Sequence, residues 1–413
     1  MWLAMRPRLI SIHPMDPRGA KVGGMETHVR QLLGRHPADM NVMMVGIDER
    51  GDLELGRVAK VSFQGREFDF VPIMRAPVSD QTGAATSLTR SLTFRFAAAL
   101  VRYLPRLRSL SADAPAAVEV ERFEFAPMAR VLGPLVVMVH NEGDPKRDKM
   151  DSLLSRYWWI NDAAEWMAFR LARRIFCVTP KLKERLTARH PSQAAKADVL
   201  TVSVDTSIFR ATPFDLKDGK LRLVYAGRLD EFKDPALMFR VAKRAHEKLN
   251  GAFEFHYCGA SDPHRFEEFA AIEGFSVRHG ALLPDGVAAV MRSVHMGILV
   301  SHWEGMPCFL LELLSSGRPF AGLRLPQFDQ VVKAGISGRT VERADTVEAS
   351  TEAVAQIVVQ EWDDIKAGRV DPARVHEQIL PFSADRQLER LFDAHRAMQQ
   401  GGGGPGVAAI ERA

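Results

Sequence analysis

Short apolar runs alternate along most of the chain with segments in which apolar residues recur every three or four positions. The runs have strand length and read LISIHP, VVMVH, RIFCVT, LRLVYAG, FEFHYCG and HMGILVS. Such alternation predicts parallel sheets covered by helices. Because each half of the chain begins with a strand, a turn and a helix, we predict an α/β protein with two Rossmann-like domains facing a central cleft.

The periodic pattern lapses in one internal stretch, DTSIFRATPFDLKDGK, which indicates a domain boundary. A chain of 413 residues also exceeds the size of one ordinary hydrophobic core. We therefore predict a first domain over residues 1–205 and a second over residues 206–380. A last helix is predicted over residues 381–400, packing back on the first domain, and the glycine-rich residues 401–413 are predicted to form a flexible tail.

The composition, with 46% hydrophobic and 26% charged residues, is typical of a globular protein. No apolar run reaches the roughly 18 residues needed to cross a bilayer, and the first residues lack the pattern of a secretory signal. The cysteines Cys177, Cys258 and Cys308 lie in apolar segments without metal-ligand spacing, as reduced thiols do. These features predict a cytoplasmic protein.

The net charge of +4 is unevenly distributed along the chain. Residues 1–200 contain 30 Lys+Arg and 22 Asp+Glu, a balance of +8, and the remainder contains 25 and 29, a balance of −4. The asymmetry indicates either that the two halves meet different partners or that surface charge has simply drifted.

The stretch SHWEGMPCFLLELLSSGRP places two carboxylates around the start of an apolar helix. Glu304 lies in a loop after the strand-like ILVS, where open α/β sheets bind ligands, and Pro307 suits the first helical position. Gly317 is predicted to end the helix. An ionised Glu312 within that apolar helix needs hydrogen-bond donors. A ribose diol could supply them, or the glutamate could form a structural ion pair with Arg318 or Arg324.

Two cations, Arg228 and Lys233, lie in the turn after the first strand of the second domain. Asp234 is predicted to cap the following helix, with Pro235 in its first turn. Both cations lie at the carboxyl edge of the predicted sheet, so they can converge on a diphosphate. The alternative is an ordinary solvated loop.

Taken together, these motifs resemble the family-four retaining glycosyltransferases, which have the GT-B fold. The resemblance covers most of the chain, from VGGMETHV through VVMVHN, IFCVTP, VSVDTSIF and YAGRLDEFKD to EGMPCFLLELLSSGRPFAG. It implies an enzyme, a hexosyltransferase that moves a sugar from a nucleoside diphosphate sugar to a glycan or glycolipid acceptor with retention of anomeric configuration.

The resemblance also implies roles for individual residues. Glu312 would bind the nucleotide ribose, Glu304 would contact the donor sugar, and Arg228 and Lys233 would neutralise the diphosphate leaving group. His140, after the strand VVMVH, would orient the donor sugar or the acceptor, although a plain histidine at a strand end is the alternative. The remaining donor-binding candidates are the loop residues Gly305, Met306, Pro307 and Cys308 and the pair Gly23 and Gly24, which would approach the phosphates from the first domain.

The sequence contains no Asp-x-Asp pair, so a metal-bridged diphosphate is not indicated. We predict no metal and no cofactor at the transfer site, with Arg228 and Lys233 in place of an ion. No nucleic acid partner is expected.

The sequence departs from the family pattern at several positions. Val202-Ser203 stands where Asn-Gly is usual, and Gln330 stands where an acid often follows the second carboxylate helix. The acceptor-side strand VEVERFEF contains glutamates instead of histidines, and its candidates are Glu121 and Arg122, with Asn141 nearby. This side resembles the enzymes of lipopolysaccharide-core and surface-polysaccharide synthesis. The alternatives are a non-catalytic glycosyltransferase-like subunit and a nucleotide-sugar epimerase of the same fold.

Residues 88–110 are predicted to form an amphipathic helix, with Phe96, Leu100 and Leu107 on its apolar face and Arg95, Arg102 and Arg106 on another. Either the arginines form an ordinary solvated surface, or they meet the headgroups of an anionic membrane. The second reading predicts peripheral, salt-sensitive association with the inner face of the cytoplasmic membrane.

Overall fold

The chain forms two compact units in the computed structural model. Unit 1 comprises Met1–Thr201 and Leu388–Ala413, and unit 2 comprises Val202–Gln387. The structure describes residues 8–19, 21, 23–82, 87–112, 116–140 and 158–399. The division after Thr201 falls slightly before the predicted boundary at residue 205, and the second division falls within the last helix.

In unit 1, the described strands form one eight-stranded sheet of order β3-β4-β2-β1-β5-β6-β7-β8. Only β3 is antiparallel to its neighbour, β4. The central strands are mostly apolar because helices cover both faces of a parallel sheet, and the side chains of Leu9, Ile10 and Ile12 are completely buried. The strands are β1 Arg8–Ile12, β2 Asn41–Asp48, β3 Ala59–Phe63, β4 Arg66–Arg75, β5 Ala116–Val120, β6 Leu135–Val139, β7 Ala172–Cys177 and β8 Ala197–Val199.

The helices of unit 1 follow the predicted alternation with the strands. They are α1 Gly24–Arg35, α2 Val78–Thr82, α3 Leu92–Ser111, α4 Ala126–Arg130, α5 Trp158–Leu171 and α6 Pro180–Arg189. The predicted amphipathic helix is α3, which begins after a 3₁₀ turn at Leu88–Arg90 and buries Phe96, Leu100 and Leu107. Its N-cap is Ser91, whose side chain accepts a hydrogen bond from the backbone N–H of Phe94.

Unit 2 contains a six-stranded, fully parallel sheet of order β11-β10-β9-β12-β13-β14. The first strand of the unit, β9, lies beside the fourth, β12, so the strand order reverses between them, and open α/β sheets bind ligands at such a reversal. The strands are β9 Leu221–Ala226, β10 Phe253–Cys258, β11 Ser276–Gly280, β12 Met296–Leu299, β13 Phe320–Leu323 and β14 Gly338–Val341.

The helices of unit 2 are α7 Pro235–Lys248, α8 Pro284–Ser293, α9 Cys308–Ser315, α10 Val347–Lys366 and α11 Pro372–Glu377. The predictions for α7 are confirmed, since Asp234 is its N-cap and accepts a hydrogen bond from the N–H of Leu237. Gly317 ends the region of α9 as predicted. Its φ of +74° belongs to the left-handed region, and its N–H and that of Arg318 donate to the carbonyl oxygens of Leu314 and Leu313.

The last helix, α12 Ala384–Gln399, starts in unit 2 and continues into unit 1. Its last residues contact unit 1 as predicted. His395 Nε2 lies 2.6 Å from a carboxylate oxygen of Glu119, and Gln399 donates a 2.7 Å hydrogen bond to the carbonyl oxygen of Arg8. Among the described residues, no helix is both long enough and apolar enough to span a membrane.

Candidate active site

The loop between β12 and α9 holds Glu304 in a fixed position. Glu304 is 6% exposed and forms an ion pair with Lys233, and the hydroxyl of Ser301 donates a 2.7 Å hydrogen bond to the same carboxylate oxygen, Oε1. The amide nitrogen of Gln327 donates to the carbonyl oxygens of Glu304, at 2.6 Å, and of Gly305, at 3.2 Å. The carboxylate and the backbone of this loop are therefore both anchored before any ligand binds.

A second loop, which follows β9, meets the first at an aromatic pair. The rings of Phe232 and Trp303 stack with their centroids 4.3 Å apart, and the N–H of His302 donates a 2.8 Å hydrogen bond to the carbonyl oxygen of Phe232. Lys233 lies next to this pair and is mostly buried. The stacked rings thus hold the two loops together where Lys233 and Glu304 form their ion pair.

Arg228 lies in the same loop as Lys233, but its side chain is 74% exposed. Its guanidinium forms an ion pair of 2.9 Å with Asp230, whereas its carbonyl oxygen accepts a 2.6 Å hydrogen bond from the hydroxyl of Tyr225. The backbone is therefore fixed and the cation extends into solvent. The two predicted phosphate-binding cations lie in one turn, and each has its own carboxylate partner.

Glu312 is half-buried in α9. Burial raises the pKa of its carboxyl to about 7. Among the described residues, no side chain forms a hydrogen bond or an ion pair with this carboxylate. This half-buried carboxylate can therefore accept hydrogen bonds from a ligand.

The alternative in which Glu312 pairs with Arg318 or Arg324 is wrong. The fully buried Arg318 donates to the carbonyl oxygens of Met291, Thr212, Pro213 and Arg292 and to the Thr212 hydroxyl. Arg324 is paired with Asp329 and Glu342. The guanidinium of Arg318 therefore already donates to buried oxygen atoms, and that of Arg324 is already paired with surface carboxylates.

The other residues of the donor loop lie at the start of α9. Met306 and Pro307 are buried, and Gly305 and Cys308 are half-buried. Pro307 is the N-cap of α9 rather than its first helical residue, which corrects the predicted start by one position. Burial and the nearby charge of Glu312 raise the pKa of the Cys308 thiol to about 12, so this thiol is neutral near pH 7.

A cavity of about 630 Å³ opens at the carboxyl ends of β10 and β11. It adjoins the Arg228 loop, because Ser261 accepts a 3.1 Å hydrogen bond from the N–H of Leu229 and a side chain at Gly259 would clash with the carbonyl oxygen of Gly227. The lining residues are Tyr257, Gly259, Ala260, Ser261, Asp262, Pro263, His264, Arg278 and Gly280.

The acceptor-side candidates belong to unit 1. His140 follows β6 and its imidazole contacts the carboxylate of Glu121, which follows β5. Burial lowers the pKa of His140 to about 4, so the imidazole is neutral near pH 7, whereas burial raises the pKa of Glu121. Arg122 donates a 2.7 Å hydrogen bond to the Thr93 hydroxyl. Asn141 lies outside the described residues.

Gly23 and Gly24 lie at the start of α1. A side chain at Gly23 would meet the carboxylate of Glu26 at 2.4 Å, and that carboxylate is held by Lys21 at 2.8 Å. Glycine at this position therefore leaves room for the Lys21–Glu26 ion pair. The role of the two glycines toward a phosphate stays a prediction.

Residues 220–360 match the model of a family described as glycosyl transferases group 1. The matched region contains Arg228, Lys233, Glu304 and Glu312, together with the strands that position them. The chain is a glycosyltransferase with the GT-B fold. A comparison of the sequence with curated proteins found no match.

Solved structures similar to this glycosyltransferase cover nearly its whole length. A sucrose-phosphate synthase from Thermosynechococcus elongatus is 16% identical, with a TM-score of 0.70 over 96% of this chain and 100% of the other. The lipopolysaccharide outer core galactosyltransferase WaaB, in its apo form, is 15% identical, with a TM-score of 0.60 over 95% and 99%. HepE from Anabaena, in complex with UDP, is 10% identical, with a TM-score of 0.65 over 95% and 100%. At these identities the likeness shows the fold.

Sequence reasoning missed several residues that shape this part of the glycosyltransferase. Gln327, rather than Gln330, contacts the Glu304 loop, and Gln330 is exposed. Ser301 and the cavity beside Ser261 were also not predicted. A signal for the cavity was present in the segment YCGASDPH, where a glycine and small polar residues follow a strand at the ligand-binding edge.

Proposed function

We propose that this glycosyltransferase moves a hexosyl-type sugar from a nucleoside diphosphate sugar to a glycan or lipid-linked acceptor, with retention of anomeric configuration. The strongest support is the carboxylate of Glu312, which is half-buried and has no partner among the described residues, and whose pKa is raised by burial. A ribose diol offers two hydroxyl donors to such a carboxylate. Glu312 also belongs to the helix that starts directly after the Glu304 loop, next to the reversal of strand order.

The nucleobase is assigned to the cavity at the ends of β10 and β11. Its volume of about 630 Å³ is in the range of small-molecule sites, and its wall contacts the Arg228 loop through Ser261. Base, ribose and diphosphate would then lie along one edge of the unit 2 sheet. The parallel topology favours this placement, because all of its strands end at that edge.

The leaving diphosphate would be neutralised by Arg228 and Lys233. Negative charge builds on the diphosphate as the bond to the sugar breaks, and fixed cations at that position lower the barrier. A diphosphate would compete with Asp230 for Arg228 and with Glu304 for Lys233. Arg228 is the more available of the two, since its guanidinium extends into solvent.

Glu304 is proposed to hold the donor sugar. Lys233 and Ser301 both contact its Oε1, so its Oε2 receives no hydrogen bond from the described residues. That oxygen can accept from sugar hydroxyls while the ion pair with Lys233 keeps the carboxylate charged.

The acceptor is proposed to bind unit 1, with His140, Glu121 and Arg122 as candidate contacts and Asn141 retained as a prediction. A neutral His140 can orient a hydroxyl by donating or accepting a hydrogen bond. Similarity to WaaB, a lipopolysaccharide outer core galactosyltransferase, supports a role in cell-envelope polysaccharide synthesis. Helix α3 would associate with an anionic membrane, because Arg102, Arg106 and Arg108 are exposed on it together with Val101.

A donor panel tests the proposal. The protein is incubated with nucleoside diphosphate sugars, beginning with UDP-sugars because the similar HepE structure contains UDP, and nucleotide release is measured with and without glycan acceptors. We expect acceptor-dependent release from one donor class, and a product whose anomeric proton coupling matches that of the donor. Release without sugar transfer, or an inverted product, would contradict the proposal.

A further inference from the structure

Buried titratable side chains converge in unit 1. His28 belongs to α1, Glu119 belongs to β5, and Glu121 follows β5 directly. All three are buried, with exposures of 3%, 0% and 5%. Residues 119 and 121 point to the same face of the sheet because side chains alternate along a strand, and α1 brings His28 to that face.

In each carboxylate of this cluster, one oxygen contacts a histidine and the other has no hydrogen-bond partner among the described residues. His395 Nε2 lies 2.6 Å from Glu119 Oε2, and His140 Nε2 contacts Glu121 Oε2. Glu119 Oε1, Glu121 Oε1 and His28 Nε2 have no hydrogen-bond partner among the described residues, although all three atoms are buried. Unsatisfied buried polar atoms are costly, and here three of them point at one another.

The distances from His28 Nε2 to the two carboxylate oxygens are too long for hydrogen bonds. His28 Nε2 lies 3.5 Å from Glu119 Oε1 and 3.7 Å from Glu121 Oε1. A hydrogen bond from nitrogen to oxygen spans about 2.7–3.2 Å. A tetrahedral metal ion with ligand bonds of about 2.0–2.2 Å holds its ligand atoms roughly 3.3–3.6 Å apart. The observed distances match the second geometry better.

We propose that His28 Nε2, Glu119 Oε1 and Glu121 Oε1 bind a divalent transition-metal cation, with zinc as the best fit. Imidazole and carboxylate ligands suit zinc, and the negative charges of the two carboxylates balance the charge of the divalent ion. His395 and His140 then orient the two ligating carboxylates, as outer hydrogen-bonding groups do in metal sites. The ligands lie on a helix and a sheet, which fix their positions. All the residues of this site belong to unit 1, whereas the diphosphate site predicted to be metal-free is formed by residues of unit 2.

Cobalt(II) is the probe, because it replaces zinc and absorbs visible light when bound with nitrogen and oxygen ligands. Tag-free full-length protein is dialysed against a chelator and titrated with cobalt, and zinc is then added as competitor. We expect one cobalt per chain, a visible spectrum of low-coordinate cobalt, and its loss on addition of zinc. The readout is independent of sugar transfer, so it is not affected if the proposed function fails.

Variants locate the site. Glu119→Gln and Glu121→Gln should weaken cobalt binding by at least tenfold, and His395→Gln should weaken it by about 10–100-fold as an outer-group change. The matched control is Glu165→Gln in α5, which removes another buried glutamate of unit 1, one that lies 2.8 Å from His190. It should bind cobalt as the wild type does.

Circular dichroism shows whether each variant folds. If a variant does not fold, the cobalt titration of the wild-type protein still tests the proposed metal site. A wild-type protein that shows no stoichiometric cobalt spectrum would mean that the cluster holds protons only, and the proposal would be wrong. Equal cobalt affinity in wild type and in folded Glu119→Gln and Glu121→Gln would also overturn it.

Discussion

At the scale of single residues, Glu312 and Glu361 make a matched pair. Both are glutamates of unit 2 helices, and burial raises the pKa of each to about 7, but only Glu361 faces an arginine, Arg339, at 3.4 Å. We expect Glu312→Ala to weaken nucleotide binding by about 1.5–3 kcal/mol, the value of hydrogen bonds to a charged group, and Glu361→Ala to leave it unchanged. Isothermal calorimetry measures both. An equal loss of nucleotide affinity in the two variants would contradict the proposal that Glu312 binds the ribose.

The pKa of Glu312 gives a pH prediction for the ligand-free protein. Its folded pKa, about 7, is raised above its ordinary value of 4.5. The stability linked to the protonated form is therefore complete below about 4.5 and is lost as the pH rises through about 7. Glu312→Gln cannot ionise and avoids this loss. We expect the melting temperature of Glu312→Gln relative to wild type to be higher at pH 8 than at pH 5. A difference that does not change with pH would show that the carboxyl titrates near its ordinary value.

Substitution of either cation in the loop after β9 should lower the transfer rate, whereas substitution of an ordinary surface lysine should not. Lys233→Ala and Arg228→Ala should each lower the transfer rate by at least about tenfold, because leaving-group charge goes unneutralised. Lys220, an exposed lysine of the same unit paired with Glu254 at 3.1 Å, provides the control. Initial transfer rates at saturating donor are compared for Lys233→Ala, Arg228→Ala and the Lys220→Ala control. If both variants transfer sugar at the wild-type rate, the proposed role of the two cations is wrong and the turn is an ordinary solvated loop.

At the scale of elements, the end of α9 is sensitive to a single methyl group. Gly317 and Gly368 both have φ near +70°, but a Cβ at Gly317 would lie 2.7 Å from Pro372 Cβ and 2.9 Å from its carbonyl oxygen, whereas a Cβ at Gly368 meets nothing within 4 Å. We expect Gly317→Ala to lower the free energy of unfolding by roughly 1–3 kcal/mol more than Gly368→Ala, which adds only backbone strain. Urea denaturation of both variants measures the difference, and similar values would contradict the close approach.

Helix α3 carries the proposed membrane contact. Arg95 is paired with Asp80 at 3.7 Å, so the exposed Arg102, Arg106 and Arg108 are the arginines to test. Changing these three to Ser should reduce cosedimentation with anionic vesicles, since each arginine near the surface contributes about 1 kcal/mol. The control changes three exposed arginines of unit 2, Arg210, Arg240 and Arg292, to Ser. Equal pelleting of both triple variants, or equal pelleting with neutral lipid, would leave an ordinary solvated surface.

At the scale of the whole molecule, the parallel sheets and the order of elements follow from the sequence pattern, and the GT-B fold was implied by the family resemblance. Apolar runs, turn residues and helical periodicity depend on neighbours a few positions away, so they can be read directly from the chain. Asp234, Pro235 and Gly317 were assigned to their helix ends for the same reason, because caps and stops are local chemistry. The positions of Glu304 and Glu312 relative to a strand end were predictable as well.

What the sequence could not determine is which charged groups meet. Lys233 and Glu304 are 71 positions apart, and their ion pair depends on β9 and β12 lying side by side. Arg318 and Arg324 looked like partners for Glu312, yet the tertiary structure directs both elsewhere. The unpaired atoms of His28, Glu119 and Glu121 come together only in the folded chain, since His28 is about 90 positions from the two glutamates in sequence. Local propensity specifies elements over a few residues, whereas burial and long-range pairing fix the electrostatic environment, and only the folded chain decides them.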